Sequence, residues 1–453
     1  MQRRELAQGM MLATLFGFTR PATAQTTTQQ PPAPGATSWA TAWTASAHGP
    51  YPVGNPSAQP NQSFTFPAPQ EGARDQSFRL ILRPTLWGRQ ARLRFTNVFG
   101  TQPLHLDGVH LGLQFGGAAL LPGSNRPVRF GGEEGVTIAP GGQAWSDPVD
   151  LPFADNPDDP LLMGRKLAVS FHVVDRSGPM TWHAKALQTS YLTAPGAGAR
   201  GQEEGEASFP FSTTSWFFLD AVDMMVPTGT PVILCFGDSI TDGTASTLNG
   251  DDRWPDVLAR RLKATLGNRV AVINAGIGGN QVVGPAEYGP DKPFPGGPSA
   301  LSRLERDIIS LSGIRTVIWL EGTNDFSRNG NAALEAVSEG MRQGVRRLRE
   351  AIPGVWLVGA TVTPALGSSS PAHGHAEQDE KRRGLNEFIR TSGLFDAVVD
   401  FDTATRDPAS GGLKPEMVPE STTGGPGDKL HPNRAGYLAM AMSIAPADLL
   451  PFH

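Results

Sequence analysis

Between residues 38 and 226 apolar and polar positions alternate in short runs. Phe78-Arg79-Leu80-Ile81-Leu82-Arg83 is one, Ala91-Arg92-Leu93-Arg94-Phe95-Thr96-Asn97 a second, and residues 104–113 and 166–174 carry the same rhythm. A period of two marks half-buried strands, and glycine and proline turns separate the runs. With no long amphipathic helix among them, they predict an all-β sandwich of jelly-roll-like type over 38–226. After Pro227-Thr228-Gly229-Thr230-Pro231 the pattern changes. Apolar runs at 232–236, 270–274, 316–320, 355–362 and 397–401 read as strands buried on both faces. Helical spacing falls between them. It is clearest over 332–351, where Leu334, Val337, Met341, Val345 and Leu348 form one stripe. Helices are also expected over 256–266, 299–311, 377–390 and 434–444. Strands alternating with helices predict an α/β domain with a parallel, doubly wound sheet over 231–453.

The start of the chain follows neither pattern. Arg3 and Arg4, an apolar stretch over 10–18 and the small-residue site Ala22-Thr23-Ala24 predict a signal peptide over 1–24. A Thr/Gln/Pro-rich linker over 25–37 follows. The chain is therefore expected to be exported, to the periplasm or beyond, by the twin-arginine or the general route. No other stretch is apolar for long enough to span a bilayer, so no stable membrane anchor is expected. A formal charge of −5 leaves no basic footprint, so nucleic acid is not an expected partner. The 53 glycines and 40 prolines, about a fifth of the chain against a usual share of about 12%, favour loops over a helical bundle. Cys235 is the one cysteine and excludes an intrachain disulfide. Inside an apolar run it reads as a small buried hydrophobe. The sequence leaves the oligomeric state open.

In an open parallel sheet, ligands sit at the carboxyl ends of the strands. Ser239 follows the first expected strand and Gly276-Ile277-Gly278-Gly279-Asn280 the second. Gly322-Thr323-Asn324-Asp325 follows the third, and Asp428-Lys429-Leu430-His431 precedes the last helix. A serine nucleophile needs a base, and the base an orienting group. His431 and Asp428, three residues apart, offer both. Acyl transfer also needs donors aimed at an oxyanion. The backbone N–H groups of Ser239 and Gly279 and the Asn324 amide offer those. Each of these residues also reads, by itself, as a turn or a helix cap. Such chemistry needs no cofactor and no metal.

The four blocks, in this order, resemble those of the SGNH (GDSL-type) hydrolases, although Ile240 stands where that pattern has Leu. The resemblance implies a Ser–His–Asp esterase on a flavodoxin-like three-layer sheet. It implies Ser239 as nucleophile, His431 as base and Asp428 as its orienter, with Ser239, Gly279 and Asn324 forming the oxyanion hole. Trp39-Ala40-Thr41-Ala42-Trp43, Leu93-Arg94-Phe95-Thr96-Asn97-Val98-Phe99-Gly100 and the segment 181–189 resemble the β-domain of secreted bacterial members akin to acetylxylan esterases. The expected substrate is then a small acyl ester or an acetylated carbohydrate. An arylesterase or short-chain lipase without sugar preference is the alternative within the class. A glycan-binding module, with the β-domain carrying the function, is the alternative outside it. No Gly-x-Ser-x-Gly elbow is present.

Other residues compete for roles. Trp182-His183 is either a buried pair or part of the cleft. His373-Gly374-His375-Ala376-Glu377 is either a solvated loop or a metal site. Asp400 and Asp402 are rival triad acids, and Asp238 reads as a brace for the turn. Residues 281–298 should form a loop over the site, with Tyr288 and Phe294 as its aromatic contributions.

Overall fold

The structure, a computed structural model, describes residues 35–449. The expected signal peptide and most of the expected linker lie outside the described residues. From Thr37 onward the chain forms one compact unit.

The first half contains two main antiparallel sheets. In one, Thr37–Thr44, Leu219–Pro227, Gln90–Thr96 and Val149–Asp150 lie side by side. In the other the order is Phe211–Thr213, Ser190–Leu192, Gln76–Leu82, Leu167–Val173, Leu104–Gly116 and Ala119–Leu120. Their apolar faces meet: Phe95 of the first sheet packs edge-on against Phe171 of the second at 5.2 Å. This is the sandwich that the alternation predicts.

The polar face of Gln90–Thr96 does not look into water. Arg92 donates to Asp223 and to Ser312, and Arg94 to Asp220 and to Ser310. Ser310 and Ser312 belong to the second half, so these arginines tie the sandwich to it. Arg94 is only 2% exposed. Its charge tolerates burial because Asp220 takes two of its N–H groups. One apolar core runs on from Leu93 and Phe95 to Val232, Leu234 and Phe236.

The second half is an α/β fold around a five-stranded parallel sheet. Numbered by chain position its strands run 2-1-3-4-5: Ala271–Gly276, Val232–Gly237, Ile314–Leu320, Trp356–Ala360 and Ala397–Val399. This is the flavodoxin-like order. The first strand, Val232–Gly237, is buried on both faces. Leu234 and Phe236 join the core shared with the sandwich, whereas Ile233 and Cys235 pack with Trp254–Leu266 and Arg434–Ser443. On the other face Leu334–Ala351 buries Val337, Met341, Val345 and Leu348, as its spacing predicts, and Ala376–Thr391 buries Leu385 and Ile389.

Most boundaries shift by a residue or two, and three differ for a visible reason. The helix expected over 299–311 is α-helical over Ala300–Leu304 and widens to a π turn over Glu305–Ile309. The fourth strand stops at Ala360, because the Val362 N–H turns to the Asn386 side chain at 2.7 Å. The fifth stops at Val399, where Asp400 caps Phe401–Thr405 by accepting the Thr403 N–H. Among the described residues no helix is long and apolar enough to cross a membrane.

Candidate active site

The first strand ends at Gly237. A Cβ there would lie 2.1 Å from Thr241 Oγ1 and 2.7 Å from the Leu320 carbonyl oxygen, so the turn requires glycine. Asp238 caps the short turn of helix Ser239–Asp242 by accepting the Ile240 N–H at 2.9 Å. Burial pushes its carboxyl up to about 7, against the opposing pull of that N–H. Ser239 sits at the head of the turn and is 5% exposed.

His431 Nε2 lies 2.8 Å from Ser239 Oγ, and His431 Nδ1 lies 2.6 Å from Asp428 Oδ2. A carboxylate accepts only, so the proton belongs on Nδ1. Nε2 is then free to accept from the serine hydroxyl. Asp428 Oδ1 also accepts the N–H groups of Leu430 and His431, both at 2.9 Å. Burial alone would raise the Asp428 carboxyl, but the His431 contact and these N–H groups hold it well below the usual carboxylate range. It therefore stays ionised beside the imidazole.

Two further loops reach the same place. Gly279 holds φ at 84°, the left-handed region, and a Cβ on it would meet Gly296 Cα at 3.2 Å. Asn324 donates one amide hydrogen to the Asn280 carbonyl at 2.9 Å, and the other has no partner among the described residues. Asp325 accepts the Val282 and Val283 N–H groups and so pins the loop after Asn280. Ser239, Gly279, Asn324, Asp428 and His431 all line one cavity of about 360 Å³. The structure thus brings all five sequence-predicted site residues together.

Several neighbours carried no signal in the sequence. Arg303, fully buried, donates to the Gly237 carbonyl at 2.9 Å and to Asn280 Oδ1 at 2.8 Å. It joins the nucleophile strand to the loop behind Gly279; Asp307 balances its charge, and Glu321 accepts a further N–H. Asn55 and Lys185 enter the cavity from the sandwich half. His183 does not line the cavity. It lies beneath, with Nδ1 at 2.7 Å from the Ser46 carbonyl and Nε2 at 3.1 Å from Asp242 Oδ1. Asp242 Oδ2 in turn accepts the Gly278 N–H at 2.9 Å. Trp182 is buried, with its indole N–H on the Val53 carbonyl.

The competing residues have other partners. Asp400 pairs with Arg390, and Asp402 with Arg382. His373 is buried at the cavity wall, not solvated as a mobile loop would be, and its Nδ1 meets Gln378 at 2.8 Å. Burial and then the nearby His431 hold its pKa down at about 4. His375 turns instead toward Arg328. From the loop after Gly279, Phe294 lines the cavity. Tyr288 turns away, donating to the His48 carbonyl and packing edge-on against Phe99 at 5.4 Å.

A hydroxyl against an oriented imidazole, with N–H donors across one cavity, holds the parts for acyl transfer on a flavodoxin-like sheet. Residues 235–439 match the GDSL-like Lipase/Acylhydrolase family. The second half of the chain belongs to that family, within the SGNH hydrolase superfamily, and the protein is an esterase-type hydrolase. Among solved structures the chain is similar to a carbohydrate acetylesterase from Sinorhizobium meliloti, at 17% identity over 47% of this chain and 94% of that one, with a TM-score of 0.35. It is similar to the aryl esterase of M. smegmatis, at 19% identity over 47% and 95% of the two chains, TM-score 0.35. It is also similar to a GDSL-like lipase from Bacteroides thetaiotaomicron, at 18% identity over 49% and 90%, TM-score 0.36. No curated protein matches the chain.

Proposed function

We propose that the protein is an exported serine esterase that hydrolyses small acyl esters, acetyl above all, carried on a carbohydrate or a similar alcohol. The reading rests on the line of contacts Asp428–His431–Ser239, at 2.6 and 2.8 Å, opening into the cavity that Gly279 and Asn324 share. Ser239 Oγ attacks the ester carbonyl while His431 Nε2 takes its proton. The Ser239 and Gly279 N–H groups and the Asn324 amide receive the oxyanion. His431 then protonates the departing alcohol, and a water that it activates releases the acid from Ser239. Asp428 keeps the imidazole in its tautomer and stabilises the imidazolium.

The cavity wall supports a hydroxyl-rich alcohol, since Gln281, Asn329 and Ser370 stand there. Phe294 in the same wall favours the second reading, an aryl or short-chain ester without a sugar. Because the sandwich half lends Asn55 and Lys185 to the catalytic cavity, its role is to shape the cleft and not to act as a separate glycan module. The basic start, apolar stretch and Ala22-Thr23-Ala24 site support export.

Replacing Ser239 with Ala should abolish hydrolysis of p-nitrophenyl acetate and leave the circular dichroism spectrum unchanged. Near-normal activity in that variant overturns the mechanism. Acetylated xylan compared with p-nitrophenyl and glycerol esters separates the two substrate readings. For export, the secreted protein should begin at Gln25.

A further inference from the structure

Lys185 comes from the sandwich half, two residues beyond His183, and lines the cavity that holds Ser239. It is 3% exposed. Its Nζ donates to Thr244 Oγ1 at 2.6 Å, its one hydrogen-bond partner among the described residues. An ammonium carries three donors, so two are unfilled. Asp242, Asp428 and Asp238 act on it through space, without hydrogen-bond contact. Burial draws its pKa below the usual lysine value, and those carboxylates oppose the shift. A buried cation with unfilled donors costs free energy that the acyl-transfer parts themselves do not require. Asn55 stands on the same wall, against the oxyanion loop: a Cβ on Gly278 would meet Asn55 Oδ1 at 2.4 Å. That oxygen is buried and has no hydrogen-bond partner among the described residues, and the group that Asn55 can turn to an anion is its amide Nδ2, a donor. Neither Lys185 nor Asn55 hydrogen-bonds to Ser239, His431 or Asp428.

We propose that Lys185, with Asn55 beside it on the cavity wall, reads an anionic group on the ester, so that the preferred substrate is a negatively charged ester with its carboxylate on the acyl or the alcohol side. Neutral hydroxyls have other partners in Gln281, Asn329 and Ser370. An ammonium with two open donors adds most to binding where its acceptor is charged. This inference rests on the reading of Ser239 as nucleophile.

The test compares kcat/KM within matched ester pairs. On the acyl side, p-nitrophenyl hydrogen succinate is set against p-nitrophenyl butyrate. On the alcohol side, acetylated methyl glucuronide is set against acetylated methyl glucoside. The wild type should favour the anionic member of one pair by roughly tenfold or more, the worth of a hydrogen bond to a charged group. The pair that shows the preference locates the anion. Lys185→Met should collapse the ratio, and Lys185→Arg should keep most of it. Asn55→Asp, which adds a carboxylate to the cavity, should also lower the ratio and serves where Lys185→Met fails to fold. A wild type without preference in either pair overturns the inference, as does a ratio unmoved in folded Lys185→Met or in Asn55→Asp. Ser239→Ala is assayed alongside on the neutral esters. If it retains activity, the nucleophile reading itself falls. If it is inactive and the ratios are flat, only the anion inference does.

Discussion

Asp242 links the sandwich to the oxyanion loop, and removing its carboxylate should damage stability and catalysis together. It is 1% exposed. Oδ1 lies 3.1 Å from His183 Nε2, and Oδ2 accepts the Gly278 N–H at 2.9 Å, one residue before the proposed donor Gly279. Burial would raise its carboxyl, but His183, Lys185 and His48 hold it below the ordinary value, so the ionised form is the native one. Asp242→Ala deletes the Gly278 hydrogen bond to a charged acceptor and the close His183 contact, together worth roughly 1.5–6 kcal/mol. That is large against a typical folding stability of about 5–15 kcal/mol, yet survivable at its lower end. Losing an oxyanion donor outright costs about 10²–10³ in kcat, which bounds the catalytic effect from above. A Gly278 released from its acceptor displaces Gly279 only in part, so a fall of roughly 10- to 100-fold is expected, with KM little changed. Asp242→Asn retains an acceptor for Gly278 and should lose about half as much stability and much less kcat. Urea unfolding and steady-state hydrolysis of p-nitrophenyl acetate measure the two effects. If Asp242→Ala keeps the wild-type midpoint and kcat, the buried link does no work. A lowered midpoint with wild-type kcat would show that Gly279 is held without it.

Asn324→Ala removes a proposed oxyanion donor and should lower kcat by about 10²–10³ with an unchanged circular dichroism spectrum. A loss below tenfold would remove Asn324 from that role. The Asp238 carboxyl, pushed up to about 7 by burial from an ordinary 3.8, binds its proton more tightly folded than unfolded. Its contribution is therefore full below the unfolded value and is lost as pH rises through the folded one. Asp238→Asn should thus gain in thermal midpoint relative to the wild type between about pH 4 and about pH 8, and a flat difference across that range refutes the assignment.

The second half was legible because its chemistry sits next to its scaffold. Each block of the site follows an apolar run or precedes a helix. A parallel sheet gathers the ends of such runs along one edge, so Ser239, Gly279 and Asn324 could be placed together without knowing any side-chain geometry. Asp428 and His431 were legible through their three-residue spacing, which one turn closes. The sandwich half was legible as strands and illegible as part of the site. Period-two alternation gives two faces, but not which of them meets water. Arg92 and Arg94 occupy the polar positions of one such run, and they bind Asp223 and Asp220 against the second half. Lys185 and Asn55 reach the cavity through tertiary contacts across long sequence separations that no local pattern records. His183 stands out in the sequence beside Trp182, but nothing local there points to its partner Asp242, in the turn after Ser239. His373 read as loop because its surroundings are rich in Ser, Pro and Gly. The Gln378 side chain holds it inward all the same.

The central claim is that Ser239, activated by His431, forms the acyl-enzyme. A fluorophosphonate probe transfers its phosphonyl group to an activated serine, and mass spectrometry of the digested protein locates it. The account predicts a single adduct, on the peptide containing Ser239, with labelling sharply slowed in His431→Ala. Label on another serine, or an unlabelled Ser239 in a fully inactivated enzyme, would contradict it.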